Sequence, residues 1–242
     1  MSTKAYRILV IRHVRGSNLG LLENALYREK LPFDYLDTIE GATLLRPITD
    51  YSHLIILGGP ISAYEDKIYP FLRTEFKLLE AALDNQIPTL GICLGSQILA
   101  KVLGGKVYRG EVGREIGWCN LHLTDAGRKD PLLQGFPEKF KVFESHQDTF
   151  EIPGDCVHLA ATETYYNQAF RYRDFAWALQ FHLEMNEPLL QACSQVIEKE
   201  LVGSNIQYTD SAKLLAETRL HAPDIEPLAH TFMQQFIQMG YP

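Results

Sequence analysis

The most constraining feature of the chain is a sharp corner between a strand and a helix within residues 87–97. The segment reads Ile-Pro-Thr-Leu-Gly-Ile-Cys-Leu-Gly-Ser-Gln, so an apolar strand passes directly into a helix with Cys93 at the corner. Gly91 and Gly95 flank it, and their missing Cβ atoms allow a tight bend. The N–H groups at the helix N-terminus face the sulfur and favour the thiolate. The pattern predicts a nucleophile elbow that exposes Cys93 in a strained backbone geometry.

A candidate base for this thiol follows another apolar strand, in Ala-Leu-Gln-Phe-His-Leu-Glu at 178–184. Alternate side chains of an extended segment share a face, so His182 and Glu184 are predicted to project together, with Glu184 orienting the imidazole. A lone His-x-Glu is also typical of a surface histidine near a carboxylate. Beside the elbow, the spacing favours a Cys-His-Glu triad.

A third motif, Gly58-Gly59-Pro60, ends the apolar run 54–57. Gly-Gly-Pro is common in simple turns. The alternative is that glycine lets the backbone approach a reacting carbonyl, so that the N–H groups of Gly59 and Leu94 hold a developing oxyanion. Two donors and one nucleophile indicate acyl transfer.

These three motifs, in this order and spacing, resemble the class I (triad) glutamine amidotransferase domain over about residues 5–190. Within that superfamily the chain is most similar to stand-alone GMP-synthase-like amidotransferases, through segments 115–118, 143–150 and 167–172. The resemblance implies a flavodoxin-like α/β fold. It also implies that Cys93 is the nucleophile, His182 the acid and base, and Glu184 the orienting carboxylate, with Gly59 and Leu94 as oxyanion donors.

The resemblance further implies a set of substrate-binding residues, namely Gln97, Ser145, His146, Gln147 and Asp148. A structural or binding role is favoured for His146 over a second catalytic one. The family's Ser-His-Gly-Asp carries Gln147 in place of glycine, so a positive φ there would strain or reshape the loop. The family's His-Pro-Glu carries Leu183 in place of proline, which removes a rigid φ and keeps both functional side chains.

The remaining cysteines are isolated, at Cys119, Cys156 and Cys193, and are interpreted as packing residues. Metal-ligating thiolates and imidazoles normally occur in clusters with short spacings, so no metal site is predicted. No glycine-rich nucleotide loop follows a strand, and no pyrophosphatase loop like that of GMP synthase is present, so no cofactor is predicted.

Composition indicates a soluble cytoplasmic enzyme: 242 residues, 46% hydrophobic and 22% charged, with four cysteines that suit a reducing compartment. No apolar run approaches the ~18 residues of a membrane span. The net charge of −7 disfavours a nucleic-acid partner, because phosphate binding requires a basic face.

Strands alternating with helices predict a central, mostly parallel sheet covered by helices on both faces. We predict the amidotransferase domain at 1–186 and a helical extension packed on it at 187–242. A partner-binding face on the extension is the alternative to packing. The predicted strands are 6–14, 33–36, 53–57, 88–92, 106–108, 121–123, 141–143, 158–161, 168–172 and 176–181. The predicted helices are 21–29, 71–85, 95–103, 188–201, 210–220 and 227–239.

The function implied is cleavage of glutamine or another γ-glutamyl amide through a cysteinyl thioester, with release of ammonia or an amine. Because no synthase domain is recognisable, a separate synthase subunit is one candidate partner. The alternatives are a γ-glutamyl peptidase or hydrolase acting on a peptide or conjugate, and a non-catalytic regulatory relative.

Overall fold

The computed structural model describes residues 6–44, 46–201 and 211–239, and within them the chain forms eleven strands and six α-helices. The strands are β1 (Ile8–Arg12), β2 (Phe33–Asp37), β3 (His53–Ile56), β4 (Thr89–Ile92), β5 (Val107–Arg109), β6 (Glu115–Leu123), β7 (Lys139–His146), β8 (Asp148–Phe150), β9 (Cys156–Ala161), β10 (Ala169–Tyr172) and β11 (Ala176–Leu179). The helices are α1 (Glu23–Arg28), α2 (Phe71–Asp84), α3 (Leu94–Val102), α4 (Glu187–Ala192), α5 (Ser194–Leu201) and α6 (Ser211–Gln238).

Nine strands form one mixed sheet in the order β2-β1-β3-β4-β11-β10-β9-β6-β7, and β5 pairs with β8 in a separate ribbon. The first five strands in that order run parallel, and the pairings from β11 through β7 are antiparallel. In the parallel half, the carboxyl-terminal ends of β3, β4 and β11 lie together at one edge of the sheet. Ligands bind at this edge in open α/β sheets.

Helices cover the parallel half on both faces, as predicted. Along β1, Ile8 and Val10 point into one apolar cluster, which also holds residues of α1 and α6. Leu9 and Ile11 point into the opposite cluster with residues of α2 and α3. A strand buried on both faces reads as a continuous apolar run, and for this reason these strands were recognisable in the sequence.

The antiparallel half is larger than predicted. The predicted strand 121–123 is only the C-terminal end of β6, and the predicted strand 141–143 is only the centre of β7. Polar residues at the N-terminal end of β6 and at the C-terminal end of β7 interrupt the apolar pattern. Glu115 pairs with His146 and Gly117 with Glu144 in their register. The short strand β8 was not predicted.

The C-terminal extension departs most from the predictions. The predicted helix 188–201 is divided at Cys193 into α4 and α5, whereas the predicted helices 210–220 and 227–239 form one helix, α6, that continues through Pro223 and Pro227. Proline removes a helical hydrogen bond. Burial of Phe232 and Phe236 against the sheet outweighs this cost, since tertiary packing overrides local propensity.

Parts of the predicted extension, at 202–210 and 240–242, lie outside the described residues. Within the described ranges, none of the helices has the length and apolar character needed to cross a membrane.

Candidate active site

Cys93 lies at the corner between β4 and α3 with φ 51° and ψ −107°, a left-handed backbone that residues with a Cβ rarely adopt. The flanking glycines are required by space: a Cβ on Gly95 would lie 2.0 Å from the Ile56 carbonyl oxygen, and one on Gly91 would lie 2.4 Å from that of Gly95. The strained elbow is confirmed. The predicted exposure is wrong, because Cys93 is only 6% exposed and its sulfur lies at the floor of two clefts.

His182 lies between Cys93 and Glu184. Its Nδ1 is 2.7 Å from Glu184 Oε1. Its ring lies beside Cys93: a Cβ on Gly58 would be 3.1 Å from His182 Cε1 and 3.8 Å from Cys93 Sγ, and the sulfur itself lies 3.9 Å from the Ser145 carbonyl. Strand β11 ends at Leu179, earlier than the predicted 181, but the His182 N–H donates to the Phe143 carbonyl and fixes the segment beyond it. The local geometry thus brings the three predicted triad residues together.

The electrostatics favour a charged imidazole. Burial by itself lowers the pKa of His182, but the charge of Glu184, the interaction with Cys93 and the hydrogen bond with Glu184 outweigh burial and raise this pKa well above 6.5. An imidazolium beside the sulfur is the counter-ion that a thiolate needs.

The predicted oxyanion donors flank the sulfur. A Cβ on Gly58 would lie 3.1 Å from His182 Cε1, and one on Gly59 would lie 2.6 Å from His13 Cβ and 2.9 Å from a Leu94 methyl group, so only glycine lets this backbone come so close. Leu94 is the first residue of α3, where a helical N–H has no intrahelical acceptor. The backbone at Gly59 and the start of α3 are therefore available to a substrate oxygen.

A buried pair that no sequence motif predicted, His13 and Glu75, lies beside this loop. The two side chains are 0% and 1% exposed, with His13 Nε2 3.0 and 3.1 Å from the two carboxylate oxygens. His13 Nδ1 donates to the Gly58 carbonyl at 3.3 Å. In a trans peptide the C=O and N–H point in opposite directions, so this bond turns the Gly59 N–H away from His13. The pair thus orients the peptide that carries the predicted oxyanion donor.

On one side of Cys93 lies a polar cleft with an empty volume of about 700 Å³, including space open to solvent. All five predicted substrate-binding residues line it. Gln97 donates its amide to the Asp148 carbonyl and to Gln180 Oε1. Arg109, Arg114 and Glu65 also line the cleft and were not predicted, because isolated charged residues carry no motif.

Gln147 departs from the expectation of strain. It is absent from the four non-glycine residues with positive φ in the described chain, which are Lys30, Gln86, Cys93 and Arg173. Its Oε1 instead accepts from Arg109 at 2.9 Å. Glutamine at this position therefore positions an arginine on the rim of the polar cleft.

His146 forms a second buried cluster with Glu115 and Glu144. Its Nδ1 donates to the Asp148 carbonyl at 2.9 Å, and its Nε2 lies 3.4 Å from a carboxylate oxygen of each glutamate. Burial lowers the pKa of His146, but hydrogen bonding to Glu115 and Glu144 outweighs it and raises the pKa to about 10. Burial raises the pKa of Glu144 to about 7.

The three ligand atoms of this cluster lie within 4.8 Å of one another, so one metal ion would reach all of them. A protonated His146 balances one carboxylate charge without an ion, and the raised pKa of Glu144 leaves the second carboxyl partly protonated near neutral pH. We therefore describe the cluster as an ion-pair network, and the prediction of no metal site stays a prediction.

On the other side of Cys93 lies an apolar cleft with an empty volume of about 570 Å³, including space open to solvent. His182 and Glu184 line this cleft and not the polar one, whereas Cys93, Gly59 and Ser145 line both. The sulfur therefore lies where two clefts of opposite character meet.

Comparison with known proteins agrees with this geometry. The family description glutamine amidotransferase class-I matches residues 20–190. The GMP synthase of Thermosipho melanesiensis is 33% identical over 195 residues, which make up 80% of this chain and 33% of that synthase, so the chain spans about a third of its length. The glutamine amidotransferase-like protein YfeJ of Salmonella typhimurium is 30% identical over 167 residues, 68% of this chain and 70% of that protein.

Solved structures extend the similarity to the C-terminal helices. A glutamine amidotransferase from Thermotoga maritima has a TM-score of 0.88 at 38% identity, covering 97% of this chain and 99% of that one. A second, from Methylobacillus flagellatus, has a TM-score of 0.86 at 27% identity over 100% and 96% of the two chains. With the family match covering most of its length, the chain belongs to the class I glutamine amidotransferase family.

Proposed function

We propose that the protein hydrolyses a γ-glutamyl amide through a thioester on Cys93. The observation that carries the proposal is the position of His182, which lies 2.7 Å from Glu184 and lines the same cleft as Cys93, a cysteine in an elbow conformation. A nucleophile, a base and an orienting carboxylate in this order are the requirements for covalent acyl transfer.

In the first step the Cys93 thiolate attacks the γ-carbonyl carbon, and the carbonyl electron pair moves onto oxygen. The N–H groups of Gly59 and Leu94 stabilise this oxyanion. The C–N bond then breaks while the His182 cation gives its proton to the departing nitrogen. The products of this step are a γ-glutamyl thioester and a neutral amine or ammonia.

In the second step neutral His182 removes a proton from water, and the resulting hydroxide attacks the thioester carbon. Collapse of the second oxyanion breaks the C–S bond and releases glutamate. Glu184 stabilises the imidazolium in both steps and holds the ring in one orientation. The triad returns to its starting protonation state.

The polar cleft is the proposed site for the amino-acid end of the glutamyl group. Arg109 and Arg114 provide positive charge for the α-carboxylate, and Glu65 and Asp148 provide negative charge for the α-ammonium. Asp148 is held in place by hydroxyl groups of Ser62 and Tyr64.

For the acceptor, we favour water over a separate synthase, because the C-terminal helices pack directly on the body and cover part of the surface available to a partner. An obligate amidotransferase subunit is the alternative, in keeping with a relative described as a GMP synthase. Ammonia and glutamate release by the purified protein, with and without cell extract, separates the two. Negligible activity that a separable protein fraction restores would overturn the preference for water.

The test of the mechanism is replacement of the nucleophile. Cys93→Ala is expected to abolish release of glutamate from γ-glutamyl amides and to fold normally, because the change removes one sulfur at a cleft floor. Mass spectrometry of the unaltered protein, quenched with acid during turnover, is expected to show a γ-glutamyl adduct on Cys93. Glutamate release by Cys93→Ala at the rate of the unaltered protein would refute the assignment.

A further inference from the structure

We propose that the apolar cleft binds the amine portion of the substrate. The preferred substrate is a γ-glutamyl amide whose nitrogen carries an apolar group without charge. This inference specifies the substrate class for the hydrolysis proposed above and rests on it.

The direction of the leaving group follows from the position of the acid. His182 must lie next to the nitrogen that it protonates, and His182 lines the apolar cleft but not the polar one. The glutamyl end occupies the polar cleft, where its charged groups find partners. A substrate that spans Cys93 therefore places its amine on the apolar side.

The wall of the apolar cleft is suited to a hydrocarbon group. One side is formed by Val14 and Leu57 of the body, and the opposite side by Leu189 of α4 with Val196 and Ile197 of α5. Ammonia would leave these surfaces without a contact, whereas an aliphatic or aromatic amine would remove them from water.

Two of these wall residues, Val196 and Ile197, lie beyond the segment 20–190 that the family description matches. The C-terminal extension thus completes the cleft next to the triad. A cleft closed by added helices fits a leaving group larger than ammonia.

The charged residues that line the apolar cleft disfavour a leaving group that carries a carboxylate. Among the described residues that line the apolar cleft, the acidic and basic side chains are Glu184 and His182, and these pair with each other. Arginine side chains line the other cleft. An amino acid as leaving group would place its carboxylate near Glu184 without a cation of its own, which disfavours it.

The first experiment compares two substrates that differ by one carboxylate, γ-glutamyl-phenethylamide and γ-glutamyl-phenylalanine, with glutamine as reference. We expect kcat/KM for the phenethylamide to exceed both others by at least tenfold. A value for glutamine or for γ-glutamyl-phenylalanine that equals or exceeds that of the phenethylamide would overturn the inference.

The second experiment changes the wall at Val196, which is partly exposed and can accept a charge without unfolding the chain. Val196→Glu should lower the ratio of phenethylamide to glutamine kcat/KM at least tenfold. Val196→Lys should shift preference towards γ-glutamyl-phenylalanine, because it supplies the missing cation. The matched control, Val157→Glu, changes a valine on β9 that is 36% exposed and should leave all three values unchanged. Unaltered ratios in both Val196 variants would contradict the assignment.

Binding to Cys93→Ala protein separates the two proposals. Calorimetry should give a Kd for γ-glutamyl-phenethylamide at least tenfold below that for glutamine. Tight, selective binding without turnover by the unaltered protein would refute the hydrolysis and leave the cleft assignment standing. Turnover with equal affinities would refute the cleft assignment and leave the hydrolysis standing.

Discussion

Two histidines lie next to Cys93, and each is two residues from a glutamate in the chain. His182 precedes Glu184, and His146 follows Glu144. In the first pair the carboxylate takes Nδ1, and the rest of the ring lines the apolar cleft beside Cys93. In the second, a backbone carbonyl takes Nδ1, and Nε2 faces two carboxylates.

The difference shows that the role of such an imidazole depends on whether one of its ring nitrogens can reach a substrate. The His146 side chain is 2% exposed and the His182 side chain 12%, and the pKa of both is raised. His182 can exchange a proton with a substrate because one side of its ring faces a cleft. His146 has both nitrogens engaged within the protein, so we assign it a structural role that shapes the loop 145–148.

The same substitution at both histidines provides the sharpest test of this contrast. His182→Gln should lower kcat at least 10³-fold, because general acid and base catalysis are lost together. His146→Gln should lower kcat less than tenfold, because glutamine keeps a donor for the carboxylates. Steady-state rates on γ-glutamyl-phenethylamide and glutamine check both. Equal losses in the two variants would place His146 in the chemistry.

Removal of the orienting carboxylate should have an intermediate effect. Glu184→Ala is expected to lower kcat about 10- to 10³-fold, since the imidazole keeps its proton chemistry but loses its fixed orientation and counter-charge. The pH profile of kcat/KM should also change, because Glu184 is the main group that raises the pKa of His182. The limb assigned to His182 should move to lower pH. A loss as complete as that in Cys93→Ala would show that Glu184 does more than orient.

The buried pair under the oxyanion loop should act on kcat. His13→Asn is expected to lower kcat about 10- to 100-fold with little change in KM, because a reoriented Gly58-Gly59 peptide weakens transition-state stabilisation. His53→Asn is the matched control: His53 is also buried and bonds the Phe236 carbonyl at the start of β3, the end opposite the glycine loop. Its melting temperature should fall comparably while kcat is retained. A parallel loss of kcat in both variants would reduce the His13 effect to general destabilisation.

The smallest expected effect is on the free energy of unfolding, through Glu144 beside His146. Because burial raises the Glu144 pKa to about 7, the folded state binds a proton more tightly than the unfolded chain, and stability falls as pH rises from about 4.5 to about 7. Glu144→Gln should remove that loss, on the order of 1 to 3 kcal/mol. Urea unfolding at pH 5 and pH 8 measures it, with the exposed Glu163→Gln as control. An identical pH dependence in Glu144→Gln and the unaltered protein would contradict the assigned cause.

Local motifs made much of the site predictable. The elbow, the His182 and Glu184 pair and the glycine loop are each encoded within a few consecutive residues, and the parallel strands are continuous apolar runs. The family resemblance added the five residues that line the polar cleft. Each of these features depends on residues that are close together in the chain, so a short sequence motif is enough to predict it.

Other features depend on residues far apart in the chain. His13 and Glu75 are 62 residues apart, and no local pattern joins them. The polar ends of β6 and β7 become strands only by pairing with each other. Helix α6 continues through two prolines only because its apolar face is buried. In each case tertiary contacts decide the outcome.

The backbone of Cys93 has a further consequence for the stability of the fold. A residue with a Cβ at φ 51° carries a local cost on the order of 1 to 3 kcal/mol, which glycine would not carry. The burial of the Cys93 side chain in the core offsets part of this cost, so the strain is a local cost of placing a thiol at this corner, in keeping with the chemistry proposed for it.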